Sequence, residues 1–328
     1  MVLGIDIGGA NTKVASSDGR VVEITYLPLW KDVLLVEELS KIAERFKPDK
    51  LAVTMTGELA DCFPDKRCGV RAIKQGVEAA FSDSMIRYVD VNGMLTDGSN
   101  VDELSLAAAN WCASARFIAE EFEDCIFVDM GSTTTDIIPI VSGTQRAHTT
   151  DFQRLLYSEL VYAGMLRTSI AALTDHVHLR GRICGIASEY FSNTADLNLA
   201  MGLIIGEDEY TCETPDGGGK DVASAERRLA RMLCADPGEL GRGEMREVAE
   251  ELHHAQVDRI KRAIKAVAEE YGLSRIIACG IGEAVVEEVA VIAELEITLV
   301  SEVYGKRVSS VFPAYAAARL MENALTHQ

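Results

Sequence analysis

The chain has 328 residues, of which 48% are hydrophobic and 25% charged, a balance that is typical of a globular protein with more than one domain. Its formal net charge of −19 excludes proteins that bind nucleic acid through an extended basic surface. A small phosphorylated ligand is compatible with this charge, because backbone N–H groups and a metal ion can bind phosphate without a positive surface.

The N-terminal residues contain no basic segment followed by a long apolar run, so we expect no signal peptide. No apolar run approaches the ~20 residues of a membrane span. None of the eight cysteines forms a Cys-x-x-Cys pair, which favours buried thiols over disulfides or a zinc site. We therefore expect a cytoplasmic protein, monomeric or homodimeric, without membrane or nucleic-acid partners.

Strand and helix patterns alternate along the first part of the chain. The predicted strands are Val2–Val14 (interrupted by a Gly-Gly turn), Val21–Tyr26, Lys50–Thr56 and Ile86–Val91, and the predicted helices are Leu34–Phe46, Gly69–Phe81 and Asn100–Phe122. This alternation indicates α/β architecture.

The segment Asp124–Val141 then repeats the beginning of the chain. In both places an apolar strand ends at an Asp, a Gly follows two residues later, and a second strand begins after a small polar turn. The Asp residues are Asp6 and Asp129, and the glycines are Gly8 and Gly131. An internal repeat of this kind predicts two lobes of related structure.

The remaining chain also contains alternating elements. The predicted helices are Ser158–Leu173, Leu197–Leu203, Ala223–Cys234, Met245–Tyr271, Ala284–Ile292 and Ala314–Leu325, and the predicted strands are Arg275–Cys279 and Ile297–Val300. The region from about 180 to 235 interrupts the alternation, and we interpret it as an insertion.

The first turn has the residues of a phosphate site. Asp6 stands at a strand end, where its carboxylate can bind a hydrated Mg²⁺. Paired glycines allow a phosphate to approach the backbone. The candidate phosphate-binding residues of this turn are Gly8, Gly9, Asn11, Thr12 and Lys13. A plain Gly-Gly hairpin is the alternative interpretation.

Two later turns strengthen the functional interpretation. Asp129 is a second candidate Mg²⁺ ligand, and it is followed by candidate phosphate-binding residues at Gly131, Ser132, Thr133 and Thr134. A third turn, with Gly280, Gly282 and Glu283, leads from a strand into a helix and can accept a flat group such as a base.

This ordered trio resembles the actin, sugar-kinase and heat-shock ATPase superfamily, with a phosphate-one turn, a phosphate-two turn and an adenosine turn. The resemblance implies an α/β fold of two ribonuclease-H-like lobes around a central cleft that binds Mg²⁺ and phosphate. We expect a first lobe over residues 1–123 and a second lobe over 124–328, which carries the insertion. The C-terminal helix is expected to pack back toward the first lobe.

The central part of the chain is similar to the archaeal hydantoinase/oxoprolinase-like family of tetrahydromethanopterin-linked one-carbon metabolism. The similar segments are Ser158–Thr168, Thr214–Gly217 and Arg227–Leu233. The resemblance implies an enzyme of methanofuran biosynthesis. Its reaction joins an aminomethylfuran-methyl diphosphate to the phenol of γ-glutamyltyramine and releases diphosphate.

Under that interpretation a phenol oxygen attacks a furan-methyl carbon while Mg²⁺ neutralises the leaving diphosphate. Lys13 or Arg167 supplies further positive charge. Glu159 is our catalytic candidate for the base, with Asp136 and Glu58 as alternatives. Tyr162 is either a stacking residue for an aromatic substrate or a core residue.

Several other polar residues have a structural alternative. His176 and His178 have the spacing of metal ligands but lack an evident third ligand. His253 and His254 are expected on a solvated helix face. The loop 216–219 is either a lid or an ordinary loop. Three arginines, Arg227, Arg228 and Arg231, are expected to pair with acids, with phosphate as the alternative.

Two other functions are compatible with the sequence. The first is an ATP-dependent enzyme, either a small-molecule kinase or a hydrolase of the hydantoinase type, in which ATP or ADP joins Mg²⁺ as cofactor. The second is a non-catalytic nucleotide sensor. The motifs alone do not identify the acceptor or decide whether ATP or a substrate diphosphate is bound.

Overall fold

The computed structural model describes residues 1–31 and 35–326. The strands are β1 Val2–Ile7, β2 Asn11–Ser16, β3 Val22–Tyr26, β4 Lys50–Met55, β5 Met85–Val89, β6 Leu95–Thr96, β7 Cys125–Met130, β8 Thr135–Val141, β9 Thr144–Gln145, β10 Leu160–Val161, β11 His176–Leu179, β12 Arg182–Gly185, β13 Arg275–Cys279 and β14 Glu296–Leu299.

The helices follow the same chain order. They are α1 Leu35–Phe46, α2 Lys66–Ala80, α3 Asn110–Ala119, α4 Asp151–Leu156, α5 Thr194–Ala200, α6 Val222–Met232, α7 Arg242–Tyr271, α8 Glu283–Ala293, α9 Val300–Tyr304, α10 Lys306–Ser309 and α11 Phe312–Thr326. The predicted first residue of the first helix, Leu34, lies outside the described residues.

The chain divides into two compact units that are not continuous in sequence. The first comprises Met1–Phe127, Ile138–Leu156 and Leu299–Gln328, and the second comprises Val128–Ile137 and Tyr157–Thr298. The domain boundary at residue 123 remains a prediction.

The first sheet has the strand order β3-β2-β1-β4-β5-β6. Strand β1 pairs antiparallel with β2 and parallel with β4. The carboxyl ends of β1 and β4 therefore lie side by side at one edge, where Asp6 is opposite Thr54. This edge is where polar residues after each strand come together.

The second sheet has the order β10-β8-β7-β13-β14, with β9 also on β8. If the short β6 and β9 are set aside, each sheet has its third, second, first, fourth and fifth strands side by side in that order. The internal repeat that the sequence shows at two turns therefore extends to whole sheets.

In the first unit, α11 packs against β1 so closely that no side chain fits at Gly4. A Cβ at that position would lie 1.8 Å from the carbonyl oxygen of Ala314. Aromatic rings pack beside this contact, with Phe117 and Phe312 at 5.9 Å between ring centroids. The last helix thus covers the central strand of the first sheet.

In the second unit, α6 and α7 pack around a core that includes Leu229, Val248 and Leu252. Helix α7 ends at Gly272, whose φ of 67° is the left-handed conformation that glycine adopts readily. Arg228 of α6 is fully buried and binds Asp196 of α5 at 2.5 Å. The pairing of this arginine with acids is confirmed.

Two predicted helices are wrong. Asn100–Phe122 is instead a 3₁₀ turn over Glu103–Leu106 followed by α3, and the break lies at Ala108, whose φ is +50°. The segment Ser158–Leu173 contains β10 and a short 3₁₀ helix over Ile170–Ala172. The N–H groups of Met165 and Arg167 donate to the carbonyls of Gly131 and Ser132 instead of to carbonyls four residues earlier, as a helix would require.

His253 also differs from expectation. It is only 4% exposed, and its Nε2 lies 2.7 Å from Oε2 of Glu288. The prediction of a solvated face is therefore wrong for this histidine, because α8 packs against that side of α7. No disulfide joins the eight cysteines, all of which lie in described residues. No described helix has the length and apolar character to cross a membrane.

Candidate functional site

The first turn is built around Asp6, whose side chain is buried at the end of β1. The hydroxyl of Thr54 donates to Asp6 Oδ1 at 3.1 Å. The turn closes through the N–H of Gly8, which donates to the carbonyl of Asn11 at 2.9 Å. Space is open around Gly9, since a Cβ there would meet no atom within 4 Å. A phosphate group can approach this backbone.

The residues after the turn divide between the two faces of β2. Lys13 lies directly opposite Asp6 in the β1–β2 pair, so the two side chains share a face. Thr12 points to the other face because side chains alternate along a strand. Its hydroxyl is buried and has no hydrogen-bond partner among the described residues. The geometry brings Lys13, and not Thr12, to the side of Asp6.

The segment after β4 packs against this turn. The N–H groups of Thr56 and Gly57 both donate to the carbonyl of Ile7, at 2.9 and 3.0 Å. A Cβ at Gly57 would lie 3.1 Å from the carbonyl oxygen of Gly8. The same Cβ would lie 2.5 Å from Cδ1 of Leu29. The segment is therefore tightly packed at Gly57, and the next residue, Glu58, is placed beside the turn.

The carboxyl group of Glu58 is buried with a residue exposure of 1%. Helix α2 packs closely on the backbone of Glu58, because a Cβ at Gly69 would lie 2.3 Å from the Glu58 carbonyl oxygen. Removal from water raises the pKa of Glu58 from 4.5 to about 7. The backbone N–H groups of Glu58 itself and of Ala108 lower this pKa, as does the charge of Lys66, whereas the nearby charge of Asp151 raises it further.

The second turn follows Asp129, which is also buried. Its closing bond runs from the N–H of Gly131 to the carbonyl of Thr134 at 2.9 Å. The segment 163–167 wraps this turn, with Met165 N–H donating to the Gly131 carbonyl at 2.9 Å. Gly164 permits this contact, since a Cβ there would lie 2.5 Å from the backbone nitrogen of Thr133.

The wrapping segment positions Arg167. Its backbone N–H donates to the carbonyl of Ser132 at 2.9 Å, and its side chain is half-buried. Gln256 of α7 supports the same segment by donating to the Gly164 carbonyl at 3.0 Å. The sequence segment that carries the family resemblance is thus the segment that forms one side of the second turn.

The third turn packs against the second. Gly280 has φ +96°, and a Cβ there would lie 2.4 Å from the Met130 carbonyl oxygen and 2.6 Å from Oδ1 of Asp129. The N–H of Gly282 donates to the same carbonyl at 3.0 Å. Both glycines are therefore required by packing on the end of β7. Glu283 begins α8.

The candidate bases other than Glu58 also lie in the second unit. Glu159 is buried beside β8, where its carbonyl accepts from Ile137 N–H at 2.8 Å. Asp136 is buried in β8. Tyr162 is 59% exposed, so the interpretation of this tyrosine as a core residue is wrong.

The other polar features have local partners. His176 and His178 lie on β11, with Nδ1 atoms 2.6 Å from Asp175 and 2.7 Å from Glu251 respectively. The loop 216–219 is held by Asp216, which pairs with Arg228 at 3.1 Å and Arg231 at 3.0 Å.

Arg227 departs from the expected pairing with an acid. Its guanidinium donates to the hydroxyl of Ser224 at 2.9 Å.

The residues of each turn fit Mg²⁺ chemistry. Asp6 and Asp129 offer carboxylate oxygens, the hard ligands that Mg²⁺ prefers. No group of three or more His, Cys, Asp or Glu side chains suited to a metal occurs among the described residues. Phosphate oxygens and water would complete the coordination, as is usual for Mg²⁺.

The family model described as hydantoinase/oxoprolinase matches residues 49–324. The chain belongs to the hydantoinase/oxoprolinase family. This membership confirms the family that the segments around Ser158–Thr168 and Arg227–Leu233 indicate, and the family match covers both segments.

Two relatives within this family carry the same name, (4-{4-[2-(γ-L-glutamylamino)ethyl]phenoxymethyl}furan-2-yl)methanamine synthase. The relative from Methanocaldococcus jannaschii is 40% identical over 332 aligned positions, covering 99% of this chain and 98% of the relative. The relative from Methanococcus vannielii is 37% identical over 64% of this chain and 97% of its own length.

Solved structures establish the fold more broadly. A ROK family glucokinase from Streptomyces griseus, in complex with glucose and AMPPNP, has a TM-score of 0.50 at 13% identity and covers 97% of this chain and 98% of its own. A nucleotide-free acetone carboxylase has a TM-score of 0.52 at 11% identity, over 94% of this chain and 51% of its own. The prediction of an α/β fold of the actin-like ATPase and sugar-kinase class is confirmed.

Proposed function

We propose that this chain is a methanofuran-biosynthesis synthase that forms an aryl ether and releases diphosphate. Its substrates are an aminomethylfuran-methyl diphosphate and γ-glutamyltyramine. The observation that supports this proposal is the similarity to the Methanocaldococcus jannaschii synthase, whose name describes a phenoxymethyl-furan product. The two chains are 40% identical over nearly their full lengths. The function predicted from the sequence agrees with the names of both relatives.

The name of the relatives' product defines the bond that is made. A phenoxymethyl-furan contains an ether between a phenol oxygen and a furan-methyl carbon. Formation of this bond by substitution needs a phenol that loses its proton and a leaving group whose charge is neutralised. A diphosphate leaving group meets the second need when its oxygens are bound by cations and backbone N–H groups.

Each Asp turn is proposed as a binding site for phosphate oxygens. Asp6 and Asp129 are the proposed Mg²⁺ ligands, and the metal, when bound, would neutralise charge on the phosphate oxygens. In the first turn, the Lys13 side chain lies on the same face as Asp6 and adds a positive charge there. In the second turn, Arg167 is fixed at its backbone to Ser132. Its guanidinium is suited to bidentate contact with phosphate.

The proposal is tested with purified protein, Mg²⁺ and both substrates. Diphosphate release and a product of the mass of the furan-methyl ether are expected, one of each per turnover. Omission of γ-glutamyltyramine is the control for simple hydrolysis. If neither product forms in the complete mixture, the proposed function is wrong.

An ATP-dependent kinase or hydrolase, or a nucleotide sensor, has less support. The glycines of the third turn are accounted for by their packing against Met130, and the relatives' names describe a synthase. Calorimetry with ATP and ADP in the presence of Mg²⁺ decides whether a nucleotide also binds.

A further inference from the structure

Glu58 has an environment that calls for a hydrogen-bond donor. Its carboxyl group is nine-tenths buried or more, and neither oxygen accepts a hydrogen bond of standard geometry among the described residues. The backbone N–H groups of Glu58 itself and of Ala108 are close enough to lower its pKa. The great majority of buried polar atoms in native proteins are hydrogen-bonded. A buried carboxylate whose two oxygens both lack a hydrogen bond of standard geometry is therefore either protonated or awaiting a donor from a ligand.

The position of Glu58 ties it to the proposed phosphate site. It follows β4, whose carboxyl end lies beside that of β1 and therefore beside Asp6. The preceding Gly57 packs its backbone on Gly8, and Gly69 of α2 packs on the backbone of Glu58 itself. These contacts leave little freedom for the backbone at Glu58, so its side chain begins at a defined point next to the turn.

Few charges face this carboxyl group. Asp151 of α4 acts on it electrostatically and is held by Arg154, whose Nη1 lies 3.3 Å from Asp151 Oδ1. Lys66 at the start of α2 acts in the opposite direction. The backbone of Ala108, where φ is +50°, also faces the carboxyl. Non-glycine residues in this strained conformation cluster at functional sites.

We propose that Glu58 accepts the proton of the substrate phenol. The inference rests on the proposed synthase function. In this step the O–H bond of the phenol breaks and its proton moves to a carboxylate oxygen of Glu58. The phenol oxygen forms a bond to the furan-methyl carbon, and the bond from that carbon to diphosphate breaks, with its electron pair leaving on the diphosphate.

The chemistry suits this residue better than the other candidates. Burial raises the pKa of Glu58 to about 7, which makes its carboxylate a stronger base near neutral pH than an exposed one. Glu159 and Asp136 are also buried, but both already take part in interactions with neighbouring groups.

The test compares wild-type protein with Glu58→Gln and with Glu44→Gln, an exposed glutamate of α1 that serves as a matched control. Each protein is assayed for diphosphate release with γ-glutamyltyramine and with a ring-fluorinated analogue whose phenol is more acidic. Acceptor binding is measured separately by calorimetry, and circular dichroism monitors the fold.

The expected result is a loss of about 100- to 10,000-fold in kcat for Glu58→Gln. Acceptor affinity should change less than about 3-fold, and the fluorinated acceptor should recover part of the loss. Wild-type kcat/KM should rise with pH around 7, and this rise should be absent from the variant. Glu44→Gln should match wild type.

Two results would overturn the inference about Glu58 and leave the proposed synthase function intact. The first is a Glu58→Gln variant within about 3-fold of wild-type kcat, or one whose loss is equal for both phenols. The second is a crystal of the acceptor complex in which the phenol oxygen lies well beyond the ~2.6–3.2 Å reach of a hydrogen bond to Glu58. If wild-type protein releases no diphosphate with both substrates, the proposed function fails, and the inference fails with it.

If Glu58→Gln does not fold, the pH dependence of wild-type kcat/KM still tests the inference. A profile without a rise near pH 7, or a rise that shifts with the acidity of the phenol, would count against Glu58.

Discussion

The two Asp turns are equivalent in backbone geometry and differ in how their polar side chains are satisfied. Gly8 N–H donates to Asn11 and Gly131 N–H donates to Thr134, both at 2.9 Å. Gly57 N–H donates to the residue after Asp6, and Gly282 N–H to the residue after Asp129, both at 3.0 Å. Each of these two glycines is followed by a glutamate.

The side chains at equivalent positions behave differently. Thr135 donates its buried hydroxyl to the Ala163 carbonyl at 2.7 Å, whereas the hydroxyl of Thr12 has no partner among the described residues. Glu283 takes part in an interaction at the start of α8, whereas neither carboxyl oxygen of the buried Glu58 accepts a hydrogen bond of standard geometry. Buried polar groups without a hydrogen bond of standard geometry, which a ligand can satisfy, are therefore concentrated at the first turn.

The comparison is tested most strongly at the two aspartates. Asp6→Asn and Asp129→Asn should each lower Mg²⁺-dependent diphosphate affinity on the order of 1,000-fold, because an amide is a poorer Mg²⁺ ligand than a carboxylate. Calorimetry with and without Mg²⁺ measures this loss. Asp83→Asn, at an exposed residue, is the control. If only one of the two variants loses affinity, the turns are not functionally equivalent.

Gly280→Ala tests the packing of the third turn. The change forces a residue with a Cβ into φ +96° and against the Met130 carbonyl. We expect a loss of about 4 kcal/mol in the free energy of unfolding, from backbone strain and overpacking together. Urea denaturation measures it. Gly9→Ala, where space is open, should cost less than about 1 kcal/mol but weaken diphosphate binding. If both variants lost the same free energy of unfolding, the close packing of Gly280 on Met130 would be contradicted.

Glu58→Gln should also change how stability depends on pH. The folded-state pKa of about 7 lies above the ordinary value of 4.5, so between these pH values the folded protein retains a proton that the unfolded chain has lost. Wild-type stability therefore falls as the pH rises through this range, by about 3 kcal/mol in all.

The variant carries no proton at this position that the pH can remove. Its stability relative to wild type should therefore increase by that amount between about pH 4.5 and 7. Urea denaturation across this range measures the difference. Parallel stability curves for the two proteins would show that Glu58 titrates normally.

The smallest effects are expected at the paired threonines. Thr135→Val removes a buried hydroxyl that donates to a carbonyl, so it should destabilise the protein by about 1 kcal/mol. Thr12→Val removes a hydroxyl without a partner, so the free energy of unfolding should stay constant or rise slightly. Thermal denaturation compares the two. A loss of diphosphate binding in Thr12→Val would show that the Thr12 hydroxyl contacts the bound phosphate.

The strands and turns that could be predicted from the sequence are those with local signals. Apolar runs ending in Asp and followed by glycine predict β1, β7 and their turns, and the predicted bounds of β13 are those observed. Helix α7 ends where Gly272 indicates. Each of these signals depends on backbone conformation within a few residues, which local residue types control.

Which polar groups come into contact could not be predicted from the sequence, because it depends on the tertiary structure. The segment Ser158–Leu173 has a helical apolar pattern, yet the N–H groups of Met165 and Arg167 bond to carbonyls more than thirty residues earlier. The sequence predicts Glu159 as the base, with Asp136 and Glu58 as alternatives. The burial of Glu58 depends on how α2 packs on the segment after β4, because burial and hydrogen bonding are set by long-range contacts.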